Sequence, residues 1–306
     1  MSENFGDRLA QAVRRCGNPV LVGLDPRWEQ LPTVLRTDDP SLEQRANAYV
    51  AFCTEIIDVV APLVPAVKPQ AAFFEQLGPH GMNALASVIA YAREKGLLVI
   101  LDGKRNDIGS TATAYADAYL GDKSNSAWSA DALTVSPYLG DDSLSPFVDV
   151  CKTRKTGIFV LVKTSNPGGK TFQDLICDGR PLYRYVADHV EKLAVETVGE
   201  NGYGAVGAVV GATYPAQLAE LREAMPHSWF LVPGYGAQGG SAADVVPAFD
   251  SQGLGAIVNN SRGIIFAHAR KEFAHLPPER WQEAVEAATR EMIAQFAAII
   301  PSKPIA

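Results

Sequence analysis

The chain has 306 residues, 47% of them hydrophobic and 20% charged, with a net charge of −7. This globular composition can build a large core, and its negative balance excludes a general nucleic-acid or anionic-membrane binder, which needs a basic face. No apolar run reaches the ~20 residues of a membrane span, and Cys16, Cys53, Cys151 and Cys177 lack CxxC or metal-ligand spacing. A cytoplasmic protein with reduced thiols, no membrane partner and no nucleic-acid partner is expected. The opening MSENFGDRLA reads as the start of an amphipathic helix rather than a secretory signal.

Apolar runs of strand length then recur in order. They are PVLVGL (19–24), VPAVKPQAAFF (64–74), LLVILDGK (97–104) and DALTVSP (131–137), followed by GIFVLVKT (157–164), AVGAVVGA (205–212), WFLVPG (229–234) and GAIVNNS (255–261). Each is rich in Val, Ile, Leu, Ala or Phe and bounded by Gly, Pro or polar residues, as buried strands are. Helical patterns separate several of them, among them SLEQRANAYVAFCTEIIDVVA and PLYRYVADHVEKLAVETVG, and an amphipathic helix closes the chain. Continuous apolar strands alternating with helices imply a parallel sheet covered by helices. Eight of them favour a closed (β/α)8 TIM barrel, one α/β domain over residues 1–306, above an open doubly wound sheet. Two connections, 26–40 and 165–180, exceed what a tight turn requires, and both follow strand ends.

The polar residues fall at those same ends. Asp25 closes the first run, Lys68 lies inside the second, Asp102 and Lys104 end the third, Thr134 and Ser136 the fourth, Lys163 to Ser165 the fifth, and Arg262 follows the eighth. A barrel gathers its strand ends at one mouth, where active sites are built. Helix capping accounts for Asp25 or Asp107 singly. It does not account for Lys68 in an apolar strand, where an unpaired ammonium is costly. Asp102 and Lys104 are two apart and so share one side of an extended strand, with Asp107 a turn later. Opposite charges in alternation stabilise one another, by about 4 kcal/mol per pair at 4 Å and an effective dielectric of 20. A structural salt-bridge network would use the same residue types.

The stretch VPGYGAQGGSAADVV (232–246) places four glycines in seven positions between a strand and a helix. Backbone N–H groups in such a loop can approach a phosphate. Gly234, Gly236 and Gly239 match G-x-G-x-x-G, but no early βαβ unit or acidic ribose partner makes this a dinucleotide site. The neighbouring NNSRGI delivers Arg262 to the same corner, and barrels often bind phosphate with the loops after strands seven and eight.

With LDGKRNDIGST, PGYGAQGG and SRG, and in the same order GLDPR and VKPQAAFFE, the sequence resembles the orotidine 5′-phosphate decarboxylase family in its longer bacterial form. The resemblance implies a lyase that converts orotidine 5′-phosphate to UMP and CO2 without cofactor or metal. It implies a charged tetrad of Lys68, Asp102, Lys104 and Asp107, with Lys104 the proton donor and Asp102 facing the substrate carboxylate. Asp25 and Lys68 would hold ribose hydroxyls, while Gln238 and Arg262, with Gly236, would hold the phosphate. Ser136 and Ser165 are the further expected substrate contacts. Asp107 and Thr111 would reach the ligand of a neighbouring subunit, implying a homodimer with shared sites. A Schiff-base aldolase would need a deprotonated lysine, which Asp102 and Asp107 oppose. A nucleotide-binding regulator on an inactive barrel would carry a damaged tetrad, and here it is complete.

Overall fold

The computed structural model describes residues 3–236 and 239–300. These form ten strands: β1 (Val20–Leu24), β2 (Ala66–Pro69), β3 (Leu98–Arg105), β4 (Ala132–Val135), β5 (Gly157–Lys163), β6 (Ile176–Cys177), β7 (Arg180–Pro181), β8 (Val206–Val210), β9 (Phe230–Val232) and β10 (Ala256–Asn260). Eight of them close a parallel barrel in the order β1-β10-β9-β8-β5-β4-β3-β2. The two-residue strands β6 and β7 pair antiparallel as a hairpin within the long connection after β5. The expected (β/α)8 barrel is therefore the fold, with all eight expected strand positions occupied.

One run is split differently from expectation. Residues 64–74 are a strand only over Ala66–Pro69, after which Ala71–Glu75 turns helical and buries Phe74. Pro69 has no N–H to extend the ladder, and only a single bridge from Gln70 to Asp102 continues the pairing. A continuous apolar run carries no period that separates strand from buried helix.

The first helix, Phe5–Cys16, begins at a capping box in which Asn4 and Asp7 satisfy each other's backbone N–H groups. It seals one end of the barrel. Phe5 meets Phe159 edge-on at 5.9 Å, and the Trp229 indole donates to the Gly6 carbonyl at 3.2 Å. On the outside, Trp281 of the closing helix Trp281–Ala297 stacks on Phe52 of the helix Leu42–Val60 at 5.2 Å. Fully burying such a ring contributes about 1.5–3 kcal/mol. With the N-terminal strand ends plugged by apolar side chains, the polar residues are left to the opposite mouth.

Candidate active site

Registry across β1, β2 and β3 carries the charges to one place. Lys68 pairs with Gly23 on one side, and Gln70 bridges to Asp102 on the other. Asp102 is the hub. Its Oδ2 accepts from the Lys68 ammonium at 2.8 Å and from Gln70 Nε2 at 3.0 Å, while Oδ1 accepts from the Lys104 ammonium at 2.7 Å and Thr134 Oγ1 at 2.9 Å. Burial by itself would raise the Asp102 carboxyl's pKa. The charges of Lys68 and Lys104 and their hydrogen bonds outweigh it and hold the group well below the usual carboxylate range. Burial likewise opposes the Lys68 charge, but Asp102 and Asp25 overcome it and the ammonium is held above its ordinary value. Lys68 is buried, whereas the Lys104 side chain keeps 49% of its surface accessible. One cation of the set is therefore structural in its surroundings and the other is presented to the mouth.

The expected extended backbone at Lys104 is not what brings it to Asp102. Pairing between β3 and β4 slips between Leu101 and Arg105, and Lys104 takes a left-handed φ of 45°. That conformation is costly for a residue with a long side chain and clusters at functional sites. Thr134 at the end of β4 supports it, because its Oγ1 accepts the Lys104 amide at 2.9 Å while donating to Asp102. The sequence marks Thr134 only as a polar strand end at the mouth, and it assigns Gln70 no role. Gln70 carried a legible signal, being the lone amide in an apolar run and two residues beyond Lys68.

Asp25 joins this charged set to the glycine-rich corner. It interacts electrostatically with Lys68, and its Oδ1 is buried with no hydrogen-bond partner among the described residues. It also lines a cavity of about 230 Å³ with Arg27, Gly234, Asn260 and Arg262. Gly234, Gly236 and Gly239 all have φ between 69° and 95°, a region that disfavours any side chain. The loop thus needs its glycines for backbone shape. Gly236 and Arg262 are both exposed at this corner. Gln238 lies outside the described residues.

The remaining candidates are not among the hydrogen-bond partners of the Asp102 carboxylate. Asp107 is half-buried and accepts from the Ile108 amide at 2.8 Å, and Thr111 is exposed on the first turn of the helix Gly109–Tyr119. Within one chain, then, Lys68, Asp102 and Lys104 are brought together and Asp107 is not hydrogen-bonded to them. Ser136 is half-buried beyond β4, its amide donating to the Arg105 carbonyl at 3.0 Å. Ser165 is half-buried just beyond β5, where its carbonyl accepts from Thr213 Oγ1 at 3.3 Å.

Residues 18–275 match the model of the Orotidine 5′-phosphate decarboxylase / HUMPS family. The chain belongs to that family. It is 61% identical over 299 residues to the orotidine 5′-phosphate decarboxylase of Rhodopirellula baltica, covering 95% of this chain and 98% of that one. It is 41% identical to the enzyme of the same name from Caldicellulosiruptor bescii, with 89% and 92% covered. Among solved structures, the OMP decarboxylase of Leishmania donovani is similar with a TM-score of 0.75 and 35% identity, over 97% and 98% of the two chains. As a member of the orotidine 5′-phosphate decarboxylase family the chain is an enzyme, a carboxy-lyase of pyrimidine nucleotide synthesis. The strained Lys104 and its paired carboxylate therefore belong to a decarboxylase barrel.

Proposed function

We propose that the chain decarboxylates orotidine 5′-phosphate to UMP and CO2 at the mouth of the barrel, through a C6 carbanion that Lys104 stabilises and protonates. The observation that carries this reading is the Lys68–Asp102–Lys104 array, a buried carboxylate with an ammonium on each oxygen and one of those ammonium groups accessible. Breaking the bond from C6 to the carboxylate leaves its electron pair on C6 as CO2 departs. A fixed ammonium beside that carbon meets the charge where it develops and then transfers its proton, so no reorganisation is needed at the moment of reaction. Asp102 lies against the departing carboxylate in this pose. Arg262 and the loop carrying Gly236 and Gln238 hold the phosphate, Asp25 and Lys68 the ribose hydroxyls, and Ser136 and Ser165 the base. Binding energy from the distant phosphate then orients the reacting carbon.

The same reading makes the working unit a homodimer in which Asp107 and Thr111 serve the partner's site. Exposed apolar side chains support a second copy there. Ile108, Tyr138, Leu139, Phe172 and Ile176 follow β3, β4 and β5, which are neighbours in the barrel, and Tyr138 is 84% exposed. Apolar area clustered on one face marks an interaction surface. A cytoplasmic location belongs to this reading too, in keeping with the fact that no described helix is long and apolar enough to cross a membrane.

The test is direct. Orotidine 5′-phosphate mixed with the purified protein should lose its ultraviolet absorbance signature as UMP forms, and Lys104→Ala should abolish the change while the circular dichroism spectrum stays native. Activity of the variant within tenfold of wild type, barely 1.4 kcal/mol of barrier, would exclude Lys104 as the proton donor.

A further inference from the structure

Beyond Ser165 the connection 165–180 has no part in the chemistry above, yet it is tied to the barrel by a buried charge. Lys163, the last residue of β5, is fully enclosed at 0% side-chain exposure, and its ammonium pairs with Asp174 of that connection. Two aromatic rings also face it: the Tyr214 ring centroid is 4.7 Å from Nζ and that of Tyr183 is 5.4 Å away. Tyr183 is itself fixed by donating to Glu220 at 2.8 Å. Two ring faces attract a cation but do not replace a counter-charge, and an unpaired buried ammonium is expensive. The counter-charge is on the loop, and the Asp174 side chain is 40% exposed. Docking of the loop and neutralisation of Lys163 are therefore one event.

A second tie lies one residue on. Gln173 Oε1 accepts the Thr164 amide at 3.0 Å, and Gln173 Nε2 donates to Thr164 Oγ1 at 2.9 Å. Ser165 follows at once, in a space that Gly211 leaves open: a Cβ at Gly211 would come within 2.8 Å of the Ser165 backbone. The Lys163 carbonyl accepts the Gly211 amide at 2.7 Å and locks the two strand ends together.

We propose that Lys163 is a positioning residue, a buried anchor that latches the 165–180 connection onto the barrel through Asp174 and thereby fixes Ser165 at the mouth. Its effect on catalysis rests on the reading of Ser165 as a base contact. Lys163 itself touches no reacting atom in this assignment. Loosening the latch should weaken ligands that carry the base and spare those that carry only ribose and phosphate.

Asp174→Ala and Lys163→Met in the full chain supply the test. Each should speed amide hydrogen exchange across residues 164–176 by tenfold or more without changing exchange in the barrel strands. Each should also raise KM for orotidine 5′-phosphate about tenfold with kcat within threefold, and leave inhibition by ribose 5-phosphate within twofold of wild type. Asp174→Glu should restore both readouts. Unchanged exchange in Asp174→Ala would overturn the latch, and that variant decides the matter by itself if Lys163→Met does not fold. Faster exchange with unchanged KM would overturn the link from latch to substrate. Ser165→Ala separates the two claims: if it leaves KM unchanged, the base-contact reading has failed, while the exchange result still judges the latch.

Discussion

Thr134 Oγ1 lies 2.9 Å from the Lys104 amide nitrogen and 2.9 Å from Asp102 Oδ1, so one hydroxyl holds the strained backbone of the cation and the carboxylate paired with it. A hydroxyl can donate to one group and accept from the other, and here the directions are fixed because the amide can only donate and the carboxylate only accept. Its removal should be felt at Lys104 before it is felt in the fold.

Thr134→Val keeps the shape and deletes the hydroxyl. It removes the acceptor of the part-buried Lys104 amide and one donor to the buried Asp102 carboxylate, and a hydrogen bond to a charged group is worth about 1.5–3 kcal/mol. The expected result is a kcat reduced tenfold or more, with Thr134→Ser close to wild type. Steady-state kinetics of the two variants give the answer, and a Val variant with kcat within twofold of wild type would show that Lys104 holds its conformation without help.

Asp102→Asn should destabilise the protein in a pH-dependent way. The folded-state pKa of Asp102 is depressed, so its contribution is fully present above the unfolded value of about 3.9 and is lost as pH falls through the lower folded value. Breaking a buried ion pair by removing one partner costs about 3–5 kcal/mol. Urea denaturation midpoints should therefore differ by a constant amount between pH 5 and 8, with the gap closing only in strong acid. A gap that closed already between pH 6 and 5 would mean that Asp102 is not the group whose ionisation matters.

Arg262→Ala should weaken UMP far more than uridine. A guanidinium presents a planar pair of donors to phosphate oxygens, which a neutral side chain does not replace. Calorimetric titration with both ligands separates the outcomes, and equal weakening of the two would remove Arg262 from the phosphate site.

If Asp107 acts across a dimer interface, Lys104→Ala and Asp107→Ala subunits, each inactive alone, should complement when mixed under exchange conditions. One site of a mixed dimer carries both lesions and the other carries none. Random exchange of equal amounts makes half the dimers mixed, so about a quarter of all sites should recover full activity under two-fold symmetry. Lys104→Ala mixed with Asp102→Ala should stay inactive, because both lesions fall in one chain's half of the site. Failure of the first mixture, with exchange demonstrated by mass, would assign Asp107 to its own subunit.

The barrel was legible in the sequence because its strands are buried on both faces. Near-continuous apolar runs such as GIFVLVKT and AVGAVVGA have few other uses, and their alternation with helical patterns admits few topologies. The charged ends were legible for a related reason: Lys68 in an apolar strand and Asp102 beside Lys104 are too costly to bury unless they meet. The sequence also marked the glycine-rich corner, since positive φ at Gly234, Gly236 and Gly239 is a requirement on residue type. What it did not carry was geometry across strands. The helical turn after Pro69, the slipped register that lifts Lys104 out of an extended backbone, and the hydroxyl of Thr134 beneath it depend on how β2, β3 and β4 close against one another. Lys163 is the plainest case. It belongs to an apolar strand as Lys68 does, but a register shift between β5 and β8 lies beside it, and its ammonium pairs with Asp174 between two tyrosine rings. Period and composition are local properties, whereas the side of a barrel wall on which a charge is buried is settled only when the wall has closed.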